Sequence, residues 1–252
     1  NFWWSFLHAN TTGSRLSGIE IMPWTTTFTL PAKTLRYLLT MTAFAMAPKD
    51  IRYFLMGVLF RGGRSETHAV ATDTHRLAYC EAEIDGLNQE TKIEAIVPRK
   101  TVRELLRILP EDDTPVTVNV GDTQIGFNFA GIEFVSKLIE GKFPDYQRVM
   151  PTLDTNPQCV SINREELLLA LRRVQILTNE RFHGIRWLFT KGSLTVQGSN
   201  AEQEEASQKL AVNWEWDDLD IGFNLLYMIE LLNNLKNSEV NFHFAATPKS
   251  VL

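Results

Sequence analysis

The chain has 252 residues, enough for one to three domains, and 44% of them are hydrophobic, which is typical of proteins with packed cores. Its formal net charge of −5 argues mildly against a dedicated nucleic-acid binder, since such domains are usually basic. No apolar run approaches the ~20 residues of a membrane span. Cys80 and Cys159 have no metal-binding spacing, so we expect reduced thiols in a cytoplasmic protein.

Residues 1–27 form an N-terminal segment that we leave unassigned. Its opening run, NFWWSFL, is aromatic, has no basic region before it and has no small-residue cleavage site after it. The run therefore does not predict a signal peptide.

A regular pattern of helices and strands begins near Phe28. Pro31 marks a helix start, and a stripe spaced for one helix face follows at Leu35, Leu38, Leu39 and Thr42. A second helix is predicted over about residues 99–109. Strands are predicted over residues 51–60, 66–82, 93–97, 116–120, 124–129 and 133–138. Within 66–82, alternation predicts a half-buried strand, and Thr72-Asp73-Thr74-His75 predicts a polar turn.

The second half of the chain repeats this plan. VSINREELLLALRRVQIL matches FTLPAKTLRYLLTMTAF, so that Leu167, Leu171 and Ile176 correspond to Leu35, Leu39 and Phe44. We also match Ile185-Arg186-Trp187 to Ile51-Arg52-Tyr53, and the helix at 225–235 to the helix at 99–109. Self-similarity at about 130 residues predicts duplicated domains, 28–150 and 158–252. The expected fold class is α+β, with two helices packed on antiparallel sheet in each domain.

Six segments occur in an order that carries a family resemblance: DIRYFLMGVLF (50–60), AVATDTHRLA (69–78), IVPRKTVRELLRIL (96–109), SKLIEGKFPDYQRVMP (136–151), ILTNERFHGIR (176–186) and IGFNLLYMIELLNNL (221–235). Together they resemble the bacterial DNA polymerase III β sliding clamps. The resemblance implies tandem clamp domains of the processivity fold, equivalent to the second and third domains of the family. The family's first domain is then largely missing, and the C-terminal domain is truncated at its end.

The resemblance also implies a function. A family member is a non-catalytic processivity factor without a cofactor, which encircles double-stranded DNA without reading its sequence. It tethers the DNA polymerase III α subunit, the clamp loader and repair polymerases through linear peptide motifs. The family forms a dimeric ring in the cytoplasm and involves no membrane. The alternative is a truncated clamp-like module that binds peptides without encircling DNA.

Basic residues on the helices are the candidates for DNA contact. Arg99, Arg103 and Arg107 are spaced by four, so they share a helix face apart from the stripe of Val102 and Leu105. Such a face either keeps the helix soluble or neutralises phosphates without base readout. The resemblance favours the second interpretation, for Lys49, Tyr53, Arg99, Lys100, Arg103, Arg107, Arg172 and Arg173.

The family resemblance implies a peptide-binding cleft as well. Carried over position by position, it comprises Leu55, Thr72, Thr74, His75, Arg76, Leu77, Pro144, Arg148, Val149, Phe182, Asn224, Tyr227, Pro248 and Ser250. Apolar members would accept leucine or phenylalanine anchors, and polar members would hold the peptide backbone. Thr74 stands where the family usually has Gly. The alternatives are core packing for the apolar members and a structural hydrogen bond for His75.

Enzymatic interpretations find little support in the residues. A metal site at His68, Asp73 and His75 would make a metal-dependent hydrolase, but strand alternation separates His68 from the turn. Asp112 and Asp113 follow Pro110 and indicate a solvated turn. No nucleophile and base occur in a supported arrangement, so we predict a chain without catalysis or a bound metal.

Overall fold

The structure is a computed structural model that describes residues 23–63, 66–84, 93–179, 181–245 and 250–252, together with the backbone of residues 5–8. The chain divides into two compact units, Asn1–Pro144 and Asp145–Leu252. Each unit has its own cluster of buried apolar side chains. Within the part of the chain that is described, no helix is long and apolar enough to cross a membrane.

In the first unit, helices pack on two antiparallel sheets. The strands in chain order are β1 (Ser5–His8), β2 (Thr26–Pro31), β3 (Gly57–Gly63), β4 (Glu66–Thr72), β5 (Leu77–Glu83), β6 (Ile93–Pro98), β7 (Pro115–Val120), β8 (Gln124–Phe129) and β9 (Ile132–Lys137). The helices are α1 (Ala32–Ala43) and α2 (Arg99–Ile108). One sheet has the order β1-β9-β8-β7-β2 and the other the order β5-β4-β3-β6.

The helices of the first unit begin after prolines. Pro31 and Pro98 are both extended and precede α1 and α2. Proline fixes φ and lacks an N–H group, so it suits a helix start. The first two N–H groups of α1 donate to Thr114 O at 2.8 Å and Asp112 O at 2.9 Å. The loop after α2 thus satisfies donors that α1 cannot satisfy internally.

The second unit has the same plan. Its strands are β10 (Gln158–Asn163), β11 (Gly184–Thr190), β12 (Ser193–Ser199), β13 (Glu205–Ala211), β14 (Leu219–Asn224) and β15 (Glu239–Phe244). Its helices are α3 (Arg164–Gln175) and α4 (Leu225–Asn234). The sheet order β13-β12-β11-β14 reproduces β5-β4-β3-β6, and β10 pairs with β15 as β2 pairs with β7.

The helices of the two units agree with the repeat found in the sequence. α1 and α3 each contain 12 residues, and α2 and α4 each contain 10. Leu35 and Leu39 are buried in α1, as Leu167 and Leu171 are in α3. The N–H group of Arg164, the first residue of α3, donates to Ser238 O at 2.8 Å, as Ala32 does to Thr114 O.

The helix starts of the second unit differ in one respect. Asn163 and Asn224 are side-chain caps, and each Oδ1 accepts hydrogen bonds from two backbone N–H groups of the first turn. Asparagine is among the preferred residues at this position because its side-chain oxygen satisfies otherwise unpaired donors. Glu165 and Glu166 in the first turn of α3, and Arg172 and Arg173 in its last, also complement the helix dipole.

The strand predicted over residues 51–60 was wrong in its first half. Residues Tyr53–Met56 form a 3₁₀ turn, and β3 begins only at Gly57. The reason is local: Asp50 Oδ1 accepts from Arg52 N at 2.8 Å, and Leu55 N donates to Arg52 O at 2.9 Å. β3 and β11 both begin at glycine, so Ile185 corresponds to Val58 rather than to Ile51.

The prediction for residues 66–82 was correct in its strands and turn but wrong in its burial. Ala69, Val70 and Ala71 are all fully buried, so both faces of β4 are covered here. Val70 lies opposite Leu59, which in turn lies opposite Ile96. The chain after β9 reaches this row, because Ile139 N donates to Ile96 O at 2.9 Å. This cover comes from a segment about 70 residues away, so local alternation does not reveal it.

Candidate functional site

The exposed face of α2 carries three of the predicted basic residues. Lys100, Arg103 and Arg107 are exposed, while Val102 and Leu105 on the opposite side are fully buried. Arg107 pairs with Glu104 at 2.9 Å. Arg103 forms no ion pair with any described residue, so its charge faces solvent uncompensated.

Arg99 differs from Arg103 and Arg107, although the spacing of four predicts one shared face for all three. It is half-buried, and its Nη1 donates to Met46 O at 2.9 Å. This bond joins the start of α2 to the chain just after α1. Arg99 therefore has a structural role within the first unit, besides the contact with DNA that was predicted for it.

The basic pair of α3 is exposed and bound to neutral partners. Arg172 Nη2 donates to Asn233 Oδ1 at 3.4 Å, and Arg173 Nη1 donates to Gln208 Oε1 at 3.0 Å. An amide oxygen orients a guanidinium without cancelling its charge. Both side chains consequently remain cationic on the surface of the second unit.

The loop after α1 contains the last two predicted DNA-contact residues, Lys49 and Tyr53. Both are exposed. Next to them, hydrogen bonds from the Arg52 side chain and backbone lower the pKa of Asp50 to about 2. Arg52 is therefore paired with a carboxylate. Ile51 between them is 95% exposed, a feature that a search for charged residues missed.

The turn between β4 and β5 is held by its own side chains. Asp73 Oδ1 accepts from the N–H groups of His75 and Arg76 at 3.0 Å each. Thr72 Oγ1 donates to Arg76 O at 2.7 Å and accepts from Thr74 N at 3.0 Å. The result is an ordered turn that presents the exposed side chains of Thr74 and His75.

Arg76 anchors this turn to the end of α1. Its Nε donates to Asp73 Oδ2 at 3.1 Å, and its Nη2 donates to Phe44 O at 2.7 Å. Its guanidinium also lies 5.5 Å from the centre of the Phe44 ring, within the range of a cation–π contact. The structure thus places Arg76 as a support of the turn.

The remaining predicted residues of the first unit differ widely in exposure. Leu55 is fully buried, Leu77 is half-buried and Pro144 is exposed. A fully buried leucine cannot touch a ligand without movement of its neighbours. Leu55 therefore contributes to packing in this conformation, as the alternative interpretation of the apolar residues predicts.

In the second unit, two predicted apolar residues are unusually exposed. Phe182 is 70% exposed and Val149 is 68% exposed. Asn179 Oδ1 accepts from Arg181 N at 2.9 Å and Phe182 N at 3.1 Å, which fixes the turn that presents the phenylalanine. The Arg181 guanidinium lies 5.5 Å from the Phe182 ring centre, a contact that the sequence did not indicate.

The other predicted residues of the second unit are polar or half-buried. Asn224 caps α4, so its side-chain oxygen is already used, while Tyr227 is half-buried in the first turn of that helix. Arg148 is exposed and pairs with Asp145 at 2.7 Å. Ser250 is exposed, and Pro248 lies outside the described residues.

The residues weighed for a metal site do not form one in the described part of the chain. No group of three or more His, Cys, Asp or Glu side chains is placed there to hold an ion. His68 Nδ1 lies 3.0 Å from the Tyr79 hydroxyl, and both Asp73 oxygens are occupied within the turn. His68 thus has its partner on β5, while Asp73 accepts from the backbone N–H of His75 within the turn.

Comparison with known proteins matches both units to domains of one protein family. Residues 29–145 match the family model of the DNA polymerase III beta subunit, central domain, and residues 147–252 match that of its C-terminal domain. The chain is 38% identical over 234 residues to the beta sliding clamp of Pseudomonas putida, covering 93% of this chain and 63% of the relative. It is 39% identical over 225 residues to that of Escherichia coli K12, covering 89% and 60%.

The fold shows the same likeness. The crystal structure of the DNA polymerase III subunit beta from Pseudomonas aeruginosa is similar with a TM-score of 0.88 at 37% identity, covering 93% of this chain and 64% of that one. The α+β clamp fold and the non-catalytic character predicted from the sequence are confirmed by these relatives. The chain spans less than two thirds of the length of these relatives.

Proposed function

Because the chain belongs to the family of DNA polymerase III β subunits, we propose that it acts as a sliding clamp, a processivity factor for DNA replication. It holds double-stranded DNA without sequence preference and tethers the polymerase α subunit, the clamp loader and repair polymerases through short peptides. The observation that carries the proposal is the match of both units, in family order, to the central and C-terminal clamp domains.

The DNA contacts of this proposal are electrostatic. Lys100, Arg103 and Arg107 on α2, with Arg172 and Arg173 on α3, are exposed cations on helices of a chain whose net charge is −5. Lys49 adds another exposed cation and Tyr53 adds an exposed hydroxyl group, while Arg99 supports α2. Phosphate contacts of this kind carry no sequence information and weaken steeply with salt, which suits a protein that slides.

Peptide binding rests on exposed apolar anchors. Val149 and Phe182 are each about two-thirds exposed and are supported by ordered backbone, which is the type of surface that binds leucine or phenylalanine side chains. Thr74, His75 and Leu77 contribute at the ordered turn of the first unit. The family assembles as a dimeric ring in the cytoplasm, and we propose a homo-oligomer and a cytoplasmic location here as well.

A charge-reversal experiment tests the DNA part. Arg103→Glu with Arg107→Glu should weaken binding to a duplex of random sequence and lower the salt slope, by up to about two units of log K per log salt. The control is Lys191→Glu with Lys236→Glu, two exposed lysines of the second unit outside the predicted set. Equal losses of affinity in both pairs would show that binding responds only to net charge.

A separate experiment tests encirclement. A chain that encircles DNA should be released from linear DNA but retained on circular DNA.

A peptide titration tests the partner part. A fluorescent peptide of the type QL-LF should bind the chain. Phe182→Ala should lower the affinity about tenfold, because it removes an exposed aromatic side chain that the bound peptide would cover. The control is Ile176→Ala, which removes another exposed apolar side chain, 81% exposed, that is outside the predicted set. Peptide binding without retention on circular DNA would select the alternative of a peptide-binding module.

A further inference from the structure

The loop that carries Tyr53 lies against a distant segment of the same unit. This segment comprises residues 138–143, between β9 and the end of the first unit. It is anchored at two points, because Ile139 N donates to Ile96 O on β6 at 2.9 Å and the side chain of Phe143 is buried. The path of the backbone between these two points is therefore constrained.

Two glycines bring the segment and the loop into contact. A Cβ atom at Gly57, where β3 begins, would lie 3.0 Å from Ile139 Cδ1. A Cβ atom at Gly141 would lie 3.7 Å from Phe54 Cδ1 and 3.9 Å from Tyr53 Cε2. The two rings contact each other edge to face, with their centres 6.3 Å apart. The segment therefore supports the loop both at the start of β3 and at the two rings.

Gly141 has a backbone conformation that favours glycine. Its φ is 126°, outside the left-handed region at about 60° in which other L-residues are tolerated. A methyl group would fit against the rings, because the Cβ distances are those of ordinary van der Waals contact. The requirement for glycine thus comes from the path of the backbone and not from a lack of space. Another residue has to change φ, which moves the backbone away from Tyr53.

Tyr53 combines a supported ring with an accessible hydroxyl group. Its side chain is 53% exposed, while the ring edge at Cε2 faces Gly141. A phenolic hydroxyl can donate a hydrogen bond to a phosphate oxygen, and the strength of that bond depends on its direction. A support that fixes the direction of the ring therefore affects DNA binding without touching the DNA.

We propose that Gly141 is a positioning residue for the contact between Tyr53 and DNA. The inference rests on the function proposed above. Glycine lets the segment 138–143 pass against the rings of Tyr53 and Phe54, and this contact directs the Tyr53 hydroxyl toward the phosphate backbone. The effect of Gly141 on DNA binding passes through that hydroxyl.

A double-mutant cycle tests this inference. Affinity for a duplex of random sequence is measured by fluorescence anisotropy at low salt for Gly141→Ala, Tyr53→Phe and the double variant. Tyr53→Phe keeps the ring and removes only the hydroxyl, and it should weaken binding about threefold, as the loss of one hydrogen bond does. Gly141→Ala should weaken binding about twofold to threefold. The double variant should bind like Tyr53→Phe alone, because both changes remove the same contact.

Two further variants separate positioning from a loss of structure. Gly131→Ala is the matched control, because Gly131 also has a positive φ, of 76°, but its Cβ would meet no described atom within 4 Å. Its affinity for DNA should be unchanged. Ile139→Ala replaces Gly141→Ala if that variant unfolds, since it removes the side chain that packs against Gly57. It should weaken DNA binding about twofold, and only while the Tyr53 hydroxyl is present.

The outcomes separate the two proposals. If the unmodified chain does not bind the duplex, or if Arg103→Glu with Arg107→Glu leaves its affinity unchanged, the proposed DNA function fails. If that function holds but Tyr53→Phe or Gly141→Ala binds DNA normally, the positioning role is overturned. Equal weakening by Gly141→Ala with and without the Tyr53 hydroxyl overturns it as well.

Discussion

Thr74 has a backbone conformation that β-branched residues rarely adopt. Its φ is 77°, in the left-handed region, where the side chain of an L-residue crowds its own backbone. The hydrogen bonds of Thr72 and Asp73 hold the turn in this shape despite the cost. Strain of this kind often occurs at binding surfaces, and Thr74 is in the predicted peptide-binding set.

Replacing Thr74 with glycine should stabilise the first unit. Thr74→Gly removes about 1–2 kcal/mol of left-handed strain and costs about 0.5–1 kcal/mol of chain entropy, so a net gain of about 1 kcal/mol is expected in urea unfolding. Thr29→Gly is the control, since Thr29 is exposed in β2 and has no positive φ. It should lose about 1 kcal/mol. Destabilisation by both variants would show that Thr74 is not strained.

The two cysteines should differ in reactivity. Cys80 is 8% exposed, and burial raises the pKa of its thiol. Cys159 is more accessible, and its Sγ lies 3.5 Å from His243 Nε2. Because the thiolate is the reactive form, iodoacetamide at pH 7.5 should modify Cys159 about tenfold faster, and Cys80 should react only at more alkaline pH. Cys80→Ser and Cys159→Ser assign the two rates by mass spectrometry, and equal rates would contradict the difference in burial.

Residue environments were the least predictable feature of the sequence. A spacing of four placed Arg99 with Arg103 and Arg107, yet only Arg99 is half-buried with a bond to Met46 O. Leu55, assigned to a binding surface, is fully buried. For Arg99 the deciding neighbour, Met46, lies outside the helix, and the spacing of residues along the sequence does not reveal it.

At the scale of elements, helix–sheet packing depends on one glycine in the second unit. A Cβ atom at Gly198 on β12 would lie 2.7 Å from Val174 Cγ1 and 2.9 Å from Thr178 Oγ1. Val174 is fully buried in α3, so its side chain has little room to move. The absence of a side chain at Gly198 therefore allows α3 to pack closely against β12.

Gly198→Ala should therefore destabilise the second unit by about 1–3 kcal/mol, the usual cost of overpacking. Gly184→Ala on the neighbouring strand is the matched control, because its Cβ would meet nothing within 4 Å. That variant should be neutral or slightly stabilising, since alanine loses less chain entropy than glycine. Urea unfolding followed by circular dichroism distinguishes them, and two equal losses would refute a specific contact with α3.

Helices were predictable from the sequence more completely than strands. The stripe of Leu35, Leu38 and Leu39 and the prolines before α1 and α2 are local signals, and the observed helices follow them closely. The start of β3 was misplaced because the Asp50–Arg52 hydrogen bonds form a turn in a segment that is rich in strand-forming residues.

At the scale of the whole molecule, the duplicated plan gives each unit a core of its own. Leu38 and Leu105 are fully buried in the first unit, and Trp187 and Leu232 are fully buried in the second. The units have separate cores and contain 144 and 108 residues, which is the size of independently folding domains. The repeat in the sequence predicted this organisation because both copies keep their helix stripes.

A core truncation should consequently destabilise only the unit that carries it. Leu38→Ala and Leu232→Ala each remove a side chain with 0% exposure, and each should cost about 2–5 kcal/mol. Amide hydrogen exchange in low urea should then show lost protection in β2–β9 for the first variant and in β10–β15 for the second. The two variants serve as controls for each other. Equal loss across both units in either variant would mean that the two cores unfold as one cooperative structure.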